Sequence, residues 1–198
     1  SNDVVYDVGA NVGAYSLYAG HVVARKSGQV YAFEPAYSNF NSLCLNIIEN
    51  NLQDTVMPYP IALSDKTKEG KFYLRSVIPG EALHALGKAE SEGRSFSHQF
   101  RQGTISTSLD EFVLNPDVRF PNHIKIDVDG LEYEIIQGMS AVLRDPRLKA
   151  IMIEINSDIS DGAIENIISE SGLVEIMSEQ WHGRNSYNKL FTRNFQPE

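Results

Sequence analysis

Asp7-Val8-Gly9-Ala10-Asn11-Val12-Gly13 follows directly on the apolar run Val4-Val5-Tyr6, so a buried strand passes into a turn bounded by two glycines. Glycine at positions 9 and 13 admits backbone angles and close approaches that a side chain forbids. Apolar residues then recur at helical spacing in Ala14, Leu17, Tyr18 and Val22, which reads as strand, tight turn, helix. Dinucleotide-binding turns use G-x-G-x-x-G, whose middle glycine lets the backbone close on a pyrophosphate. Here the pattern is G-x-x-x-G without that glycine, and Asp7 places a negative charge that repels phosphate and suits a cationic ligand.

The run Val30-Tyr31-Ala32-Phe33-Glu34-Pro35 is a second apolar strand, ending in a carboxylate about 20 residues beyond the turn, where doubly wound sheets place an acid that accepts ribose hydroxyls. Pro35 has no amide hydrogen to donate, so it stops the strand and leaves Glu34 at the sheet's carboxyl edge. Taken singly, G-x-x-x-G is a common turn and a strand-end Glu a common cap. In this order and at this spacing they form the two halves of a cofactor site. S-adenosylmethionine, with an ammonium, a sulfonium and no phosphate, fits both halves.

Four stretches carry a family resemblance: Asp7 to Gly13 (DVGANVG), Ala32 to Pro35 (AFEP), Ile61 to Asp65 (IALSD) and Ile124 to Glu132 (IKIDVDGLE). They resemble the FkbM-type S-adenosylmethionine-dependent methyltransferases, and the run K-x-D-x-(E/D)-G-x-E is the most specific of the four. Asp129 stands where the family more often has Glu, one carbon shorter. The resemblance implies a class I, Rossmann-like α/β fold: a doubly wound, mostly parallel seven-stranded sheet with a C-terminal antiparallel hairpin. It also implies methyl transfer to a hydroxyl of a small molecule or glycan. On this reading Gly9, Ala10 and Gly13 shape the cofactor turn, Asp7 holds the amino end, and Glu34 with Pro35 holds the ribose. Ala62 and Leu63 line the adenine. Asn11 and Tyr15 resemble the family's turn residues that face the methionine portion, although packing accounts for Tyr15 equally well.

The rest of the chain alternates as a parallel sheet demands. The first helix should end near Arg25-Lys26 with Gly28 as its stop; strand two covers about 29 to 34, helix two 37 to 51, and strand three lies within 55 to 62. Residues 70 to 75 and 103 to 107 read as an extended pair flanking a polar insertion at about 79 to 102. Ser108-Leu109-Asp110-Glu111 has capping-box spacing and opens a short helix. Strand four spans 122 to 128 and is followed by one helix over 131 to 143; strand five spans 149 to 155 and is followed by a helix over 161 to 171. Strands near 173 to 178 and 186 to 193 close a hairpin. Residues 1–198 are expected to form a single domain. Ser1-Asn2 reads as the remnant of a cleaved tag, and the resemblance implies helical sequence ahead of the first strand.

Ligands of open α/β sheets occupy the crevice at the carboxyl edge of the strands. Asp127 and Asp129 end strand four, and Lys125 shares a strand face with Asp127. A charge pair on a central strand is unusual, because such strands are normally apolar on both faces. Either the two satisfy each other, or Asp127 faces the sulfonium and the incoming hydroxyl, as the resemblance favours. Glu154 ends the adjacent strand, as a cap, an ion-pair member or a second catalytic carboxylate. Asp127 and Glu154 together would orient and deprotonate a hydroxyl; metal binding is disfavoured, since no histidine stands in ligand spacing with them.

The formal net charge of −9 disfavours binding to nucleic acid or to anionic membranes, and no apolar run is long enough to span a bilayer. The single cysteine, Cys44, forms no internal disulfide and suits a reducing, cytoplasmic setting; with Phe40, Leu43, Ile47 and Ile48 it reads as a core position. Among the histidines, His84 and His98 fall in the insertion, from which either could reach a substrate, and His182 sits in Trp181-His182-Gly183, which reads as a packed hairpin loop, with a place beside the acceptor pocket as the alternative. His123 begins a strand, at the edge away from catalysis, and His21 lies on a helix stripe. Two further functions fit the same turn: a nicotinamide-dependent oxidoreductase, opposed by the missing glycine, and a cofactor-binding module without catalysis.

Overall fold

β1 (Val4–Val8), β2 (Gln29–Phe33) and β3 (Val56–Tyr59) pair in parallel, and their near-continuous apolar sequences are buried because helices cover both faces. These are features of a computed structural model that describes residues 2–82, 84–91, 94–157, 160–180 and 185–193. Ser1 and the Trp181-His182-Gly183 loop lie outside the described residues.

Between these strands run α1 (Ala14–Ala24) and α2 (Tyr37–Glu49). After β3 the chain leaves the main sheet for β4 (Ala62–Leu63), β5 (Lys68–Leu74), β6 (Ala85–Leu86), β7 (Glu90–Ser91), β8 (Arg94–Ser95) and β9 (Phe100–Thr107). There β5 and β9 pair antiparallel from Lys68↔Ser106 to Leu74↔Phe100, the expected extended pair made longer. The chain returns through α3 (Leu109–Phe112) to β10 (His123–Ile126), then α4 (Glu132–Gln137), α5 (Ser140–Arg144), β11 (Ala150–Asn156), α6 (Ala163–Glu170), β12 (Val174–Gln180) and β13 (Ser186–Thr192).

The main sheet has seven strands in the order β12-β13-β11-β10-β1-β2-β3. It is parallel from β11 to β3, and β13 and β12 form the antiparallel hairpin. Growth runs outward from β1 to β3 and then restarts at β10 on the other side of β1, so the topological switch point lies between β1 and β10. Gly9 sits at that point with φ +78°, and a Cβ there would stand 1.9 Å from the Asp127 carbonyl oxygen. Its amide and that of Ala10 both donate to the Phe33 carbonyl at 3.0 Å, which ties the turn to the end of β2.

One face of the sheet packs Tyr6, Phe33, Ile126 and Ile153 against Ile135, Ile136, Met139 and Ile168. The other packs Val30 and Ala32 against Val23, Leu43 and Ile47 of α1 and α2. Cys44 lies at the margin of that stripe and is half-buried, while Ile48 is 61% exposed, because the buried face of α2 runs through positions 43 and 47. The single helix expected over 131 to 143 is two. Gly138 breaks it where a Cβ would stand 2.1 Å from the Ser64 carbonyl oxygen, and the Asp110 carboxylate caps the new start by accepting the amides of Ala141 and Val142, each at 2.9 Å. Strand four is also shorter than expected, so Asp127 and Val128 lie in the loop beyond it.

Candidate active site

Two cavities meet at the loop Asp127 to Asp129, beyond the carboxyl ends of β1 and β10. The first, about 200 Å³, is bordered by Gly9, Asn11, Glu34, Pro35, Ala62 and Leu63, with Asp127 at its inner end. The second, about 490 Å³, is bordered by Asp127, Asp129, Glu132, Glu154 and Asn156.

Glu34 is 5% exposed, with Oε2 accepting the Asn11 amide and Oε1 the Ala36 amide, each at 2.8 Å. Pro35 has no amide, which makes Ala36 the first donor after the strand. Burial pushes the Glu34 carboxyl up to about 7; the two amides oppose this, and the charges of Asp129 and Asp7 add to it. Each carboxylate oxygen retains acceptor capacity beyond its one amide, which suits a pair of ribose hydroxyls. Asn11 has φ 52°, a left-handed conformation that asparagine tolerates, and its Oδ1 is buried without a hydrogen-bond partner. Ile61, Ala62, Leu63 and Phe72 supply an apolar wall for a flat ring.

The insertion reaches this cavity. Gly80 N donates to Asn39 Oδ1 (2.9 Å) and Asn39 Nδ2 donates to the Glu81 carbonyl (3.2 Å), which holds a strap across the cavity mouth. His84 follows on that strap and borders the cavity; its Nδ1 accepts the Arg75 amide at 3.2 Å and its Nε2 is buried without a partner. Burial pushes its pKa down and outweighs the nearby Glu81 backbone and charge, so the ring stays neutral. His98 instead packs edge-on against Tyr73, and His123 pairs with Asp3 at the opposite sheet edge. His21 lies 3.5 Å from Asn50 Oδ1.

Asp7, Ala10, Gly13 and Tyr15 do not border either cavity. Asp7 and Lys125 are register partners on β1 and β10 and point to the α1 side of the sheet. Asp7 Oδ2 accepts the Ser16 hydroxyl at 2.6 Å, and Lys125 Nζ lies 3.4 Å from Asp7 Oδ1 and 3.1 Å from Asp127 Oδ2. The same ammonium sits 4.3 Å from the centre of the Tyr15 ring. The two carboxylates outweigh the burial of Lys125 and hold it protonated. The structure shows the first reading of the strand pair, with Lys125 satisfying Asp127, and it also places Asp127 at the border of both cavities.

On the second cavity, burial pushes the Glu132 carboxyl up to about 8, with Asp129 and Glu154 adding repulsion against the opposing amides of Glu132 and Gly130. Glu132 belongs to the IKIDVDGLE run, yet neither its burial nor its neighbours from β11 are visible in sequence. Of the strap residues, His84 was expected within reach of a substrate, while Gly80 and Glu81 were not singled out, since the insertion carries no periodic pattern. Among the described residues, no cluster of three or more His, Cys, Asp and Glu side chains is arranged to hold a metal ion.

The switch-point crevice, the strand-end acid and the antiparallel closing hairpin define a class I, Rossmann-like methyltransferase fold. Methyltransferase FkbM from Methylobacillus flagellatus superposes with a TM-score of 0.63 at 14% identity, covering 96% of this chain and 43% of that one. Aeropyrum pernix fibrillarin, solved with natively bound S-adenosyl-L-methionine, superposes with a TM-score of 0.54 at 12% identity, covering 97% and 67%. The signature of the methyltransferase FkbM domain matches residues 7–179, and the chain belongs to that family. It is 30% identical to hexuronic acid methyltransferase AglP of Haloferax volcanii over 173 residues, 87% of this chain and 64% of that protein. It is 26% identical to 31-O-demethyl-FK506 methyltransferase FkbM of Streptomyces tacrolimicus over 186 residues, 84% of this chain and 70% of that protein. The chain therefore spans about two thirds of the length of these relatives.

Proposed function

We propose that this protein is an S-adenosylmethionine-dependent methyltransferase that methylates a hydroxyl oxygen of a small molecule or sugar. The observation that carries this reading is the junction of the two cavities at Asp127 to Asp129: one has the acid and apolar wall suited to a nucleoside, the other is larger and bordered by several carboxylates. When bound, the cofactor supplies an electrophilic methyl group on a sulfonium. Glu34 accepts the ribose hydroxyls, Ala62 and Leu63 pack on the adenine, and the unpartnered Asn11 Oδ1 offers an acceptor to the same ligand. Asp127, ion-paired to Lys125, stands where the cavities meet.

In-line displacement needs the two reactants held in register, so two adjoining cavities supply much of the rate enhancement by positioning alone. The relatives named for a hexuronic acid and for demethyl-FK506 support a glycan or natural-product acceptor. The formal charge of −9 disfavours a nucleic-acid substrate or a membrane surface, and no described helix is long and apolar enough to cross a membrane. We read 1–198 as one methyltransferase unit carrying the 79 to 102 insertion, working in a reducing compartment such as the cytoplasm.

Calorimetry with S-adenosylhomocysteine and with NAD tests the cofactor, and a screen of sugars, polyketides and lipids for S-adenosylhomocysteine release tests the reaction. Binding of NAD in preference to S-adenosylhomocysteine would overturn the reading in favour of an oxidoreductase. Tight S-adenosylhomocysteine binding without turnover of any acceptor would favour a binding module.

A further inference from the structure

Several carboxylates border the acceptor-side cavity, and their surroundings differ. Asp127 is ion-paired to Lys125 at 3.1 Å with 45% of its side chain exposed, so its carboxylate is already engaged by a cation. Glu154 lies on β11 opposite Asn188 of β13 and borders the same cavity. Glu132 lies just past Asp129, within three residues of the junction of the two cavities, and its Oε1 accepts the Gly130 amide at a long 3.3 Å.

The charged and titratable groups around it are Asp127 at the end of β10, Asp129 in the loop, Tyr133 and Glu134 on its own helix, Glu154 on β11 and Asp161 ahead of α6. No lysine, arginine or histidine borders this cavity among the described residues. Lys189 on β13 is held by Glu165 and Glu175. Nothing cationic at the cavity wall lowers the proton affinity of Glu132, and burial with the charges of Asp129 and Glu154 pushes its carboxyl up to about 8. A base works best when its pKa lies near the operating pH.

We propose that Glu132 is the catalytic base of this methyltransferase and takes the proton of an acceptor hydroxyl held in the second cavity. As the hydroxyl oxygen forms its bond to the methyl carbon, the carbon–sulfur bond breaks with its electron pair kept by sulfur. The O–H proton passes to the Glu132 carboxylate and then to solvent. Glu154, expected from the sequence to act directly, instead works through space by raising the proton affinity of Glu132. This inference rests on the methyltransferase reading above.

Three measurements on the whole protein separate the two. Calorimetry with S-adenosylhomocysteine on wild type and Glu132→Gln should give affinities within threefold; a wild type that does not bind overturns the methyltransferase reading itself. Carbon NMR of protein labelled at the glutamate carboxyls, saturated with S-adenosylhomocysteine, should show a resonance titrating near 8 that is missing in Glu132→Gln and moves to lower pH in Glu154→Gln. A spectrum with no glutamate titrating above about 6 overturns the base.

The third probe is the methyl glycoside of glucuronic acid, which offers hydroxyls and a carboxylate in one molecule. Ether formation at a hydroxyl releases a proton, whereas ester formation at the ionised carboxylate does not. Glu132→Gln should slow ether formation about 10²- to 10⁴-fold with KM little changed, abolish its rise with pH, and leave ester formation within threefold. Ether formation that keeps its rate and pH profile in Glu132→Gln overturns the proposal. Should wild type methylate this glycoside at neither position, the titration decides.

Discussion

Glu34 couples cofactor affinity to pH. Burial, helped by Asp129 and Asp7, pushes its carboxyl up to about 7. A hydrogen bond to a charged acceptor contributes about 1.5–3 kcal/mol, so a ribose diol is expected to bind the ionised form and displace any proton present. At about pH 6 a carboxyl of that pKa is roughly one-tenth ionised, so S-adenosylhomocysteine should bind about tenfold more weakly than at about pH 8, a difference of about 1.4 kcal/mol. Affinity therefore rises with pH up to the Glu34 value and levels above it. Calorimetry in two buffers of different ionisation enthalpy counts the protons: close to one released near pH 6 and none near pH 8. Glu34→Gln should weaken binding about 10- to 100-fold at the higher pH and remove both the slope and the proton release. Glu132 also titrates near this range, so Glu34→Gln assigns the effect. A flat wild-type profile, or an unchanged slope in Glu34→Gln, would refute the ribose role.

Four further outcomes follow from the packing. Gly9→Ala forces a Cβ to 1.9 Å from the Asp127 carbonyl at φ +78°, and urea unfolding should register a loss of more than about 2 kcal/mol. Lys125→Met leaves Asp7, 1% exposed, without its counter-charge and should cost about 3–5 kcal/mol in the same assay, much of it recovered by adding Asp7→Asn; an effect below about 1 kcal/mol would mean the pair is not buried as described. Asp110→Ala removes the cap of α5 and should lower stability by about 1 kcal/mol, read as a shifted urea midpoint with unchanged slope. Glu34 and Glu132 keep protons in the folded state that the unfolded chain loses above the ordinary value of 4.5, so their contribution to stability is present below that value and is lost as pH rises to about 7 and about 8. Urea midpoints of wild type should therefore fall across this window, and less so in Glu34→Gln.

Much of the fold was legible because it is written in short-range patterns. Apolar runs and period-3.6 apolar spacing located the strands and helices of the main sheet, and Pro35 marked where β2 stops, whereas α1 ends at Ala24 and the left-handed residue after it is Ser27, ahead of the expected Gly28. Pattern failed where distant contacts overrule it. The helix expected over 131 to 143 reads as continuous, but it breaks at Gly138 because the Ser64 backbone packs there and Asp110, from another helix, supplies a cap. In the site, Gly9 and Glu34 were legible from turn chemistry and a strand end, and Asn11, Ala62 and Leu63 were named from the family resemblance; all five border the first cavity. Asn39, on α2, and His84, in the aperiodic insertion, were not assigned to this cavity, because only the folded chain brings the two segments together there.

By itself the sequence determined the order of strands and helices, the glycine turn and the acid at the end of β2, and with them the family. Those features depend on backbone geometry and on side chains a few residues apart. Tertiary structure decided which charges meet and which are stripped of water. Asp7 and Lys125 are 118 positions apart and pair only because β1 and β10 lie side by side at the switch point. Glu132 acquires its proton affinity from Glu154 on β11 and from burial, since desolvation and Coulomb repulsion depend on distance through space and not along the chain.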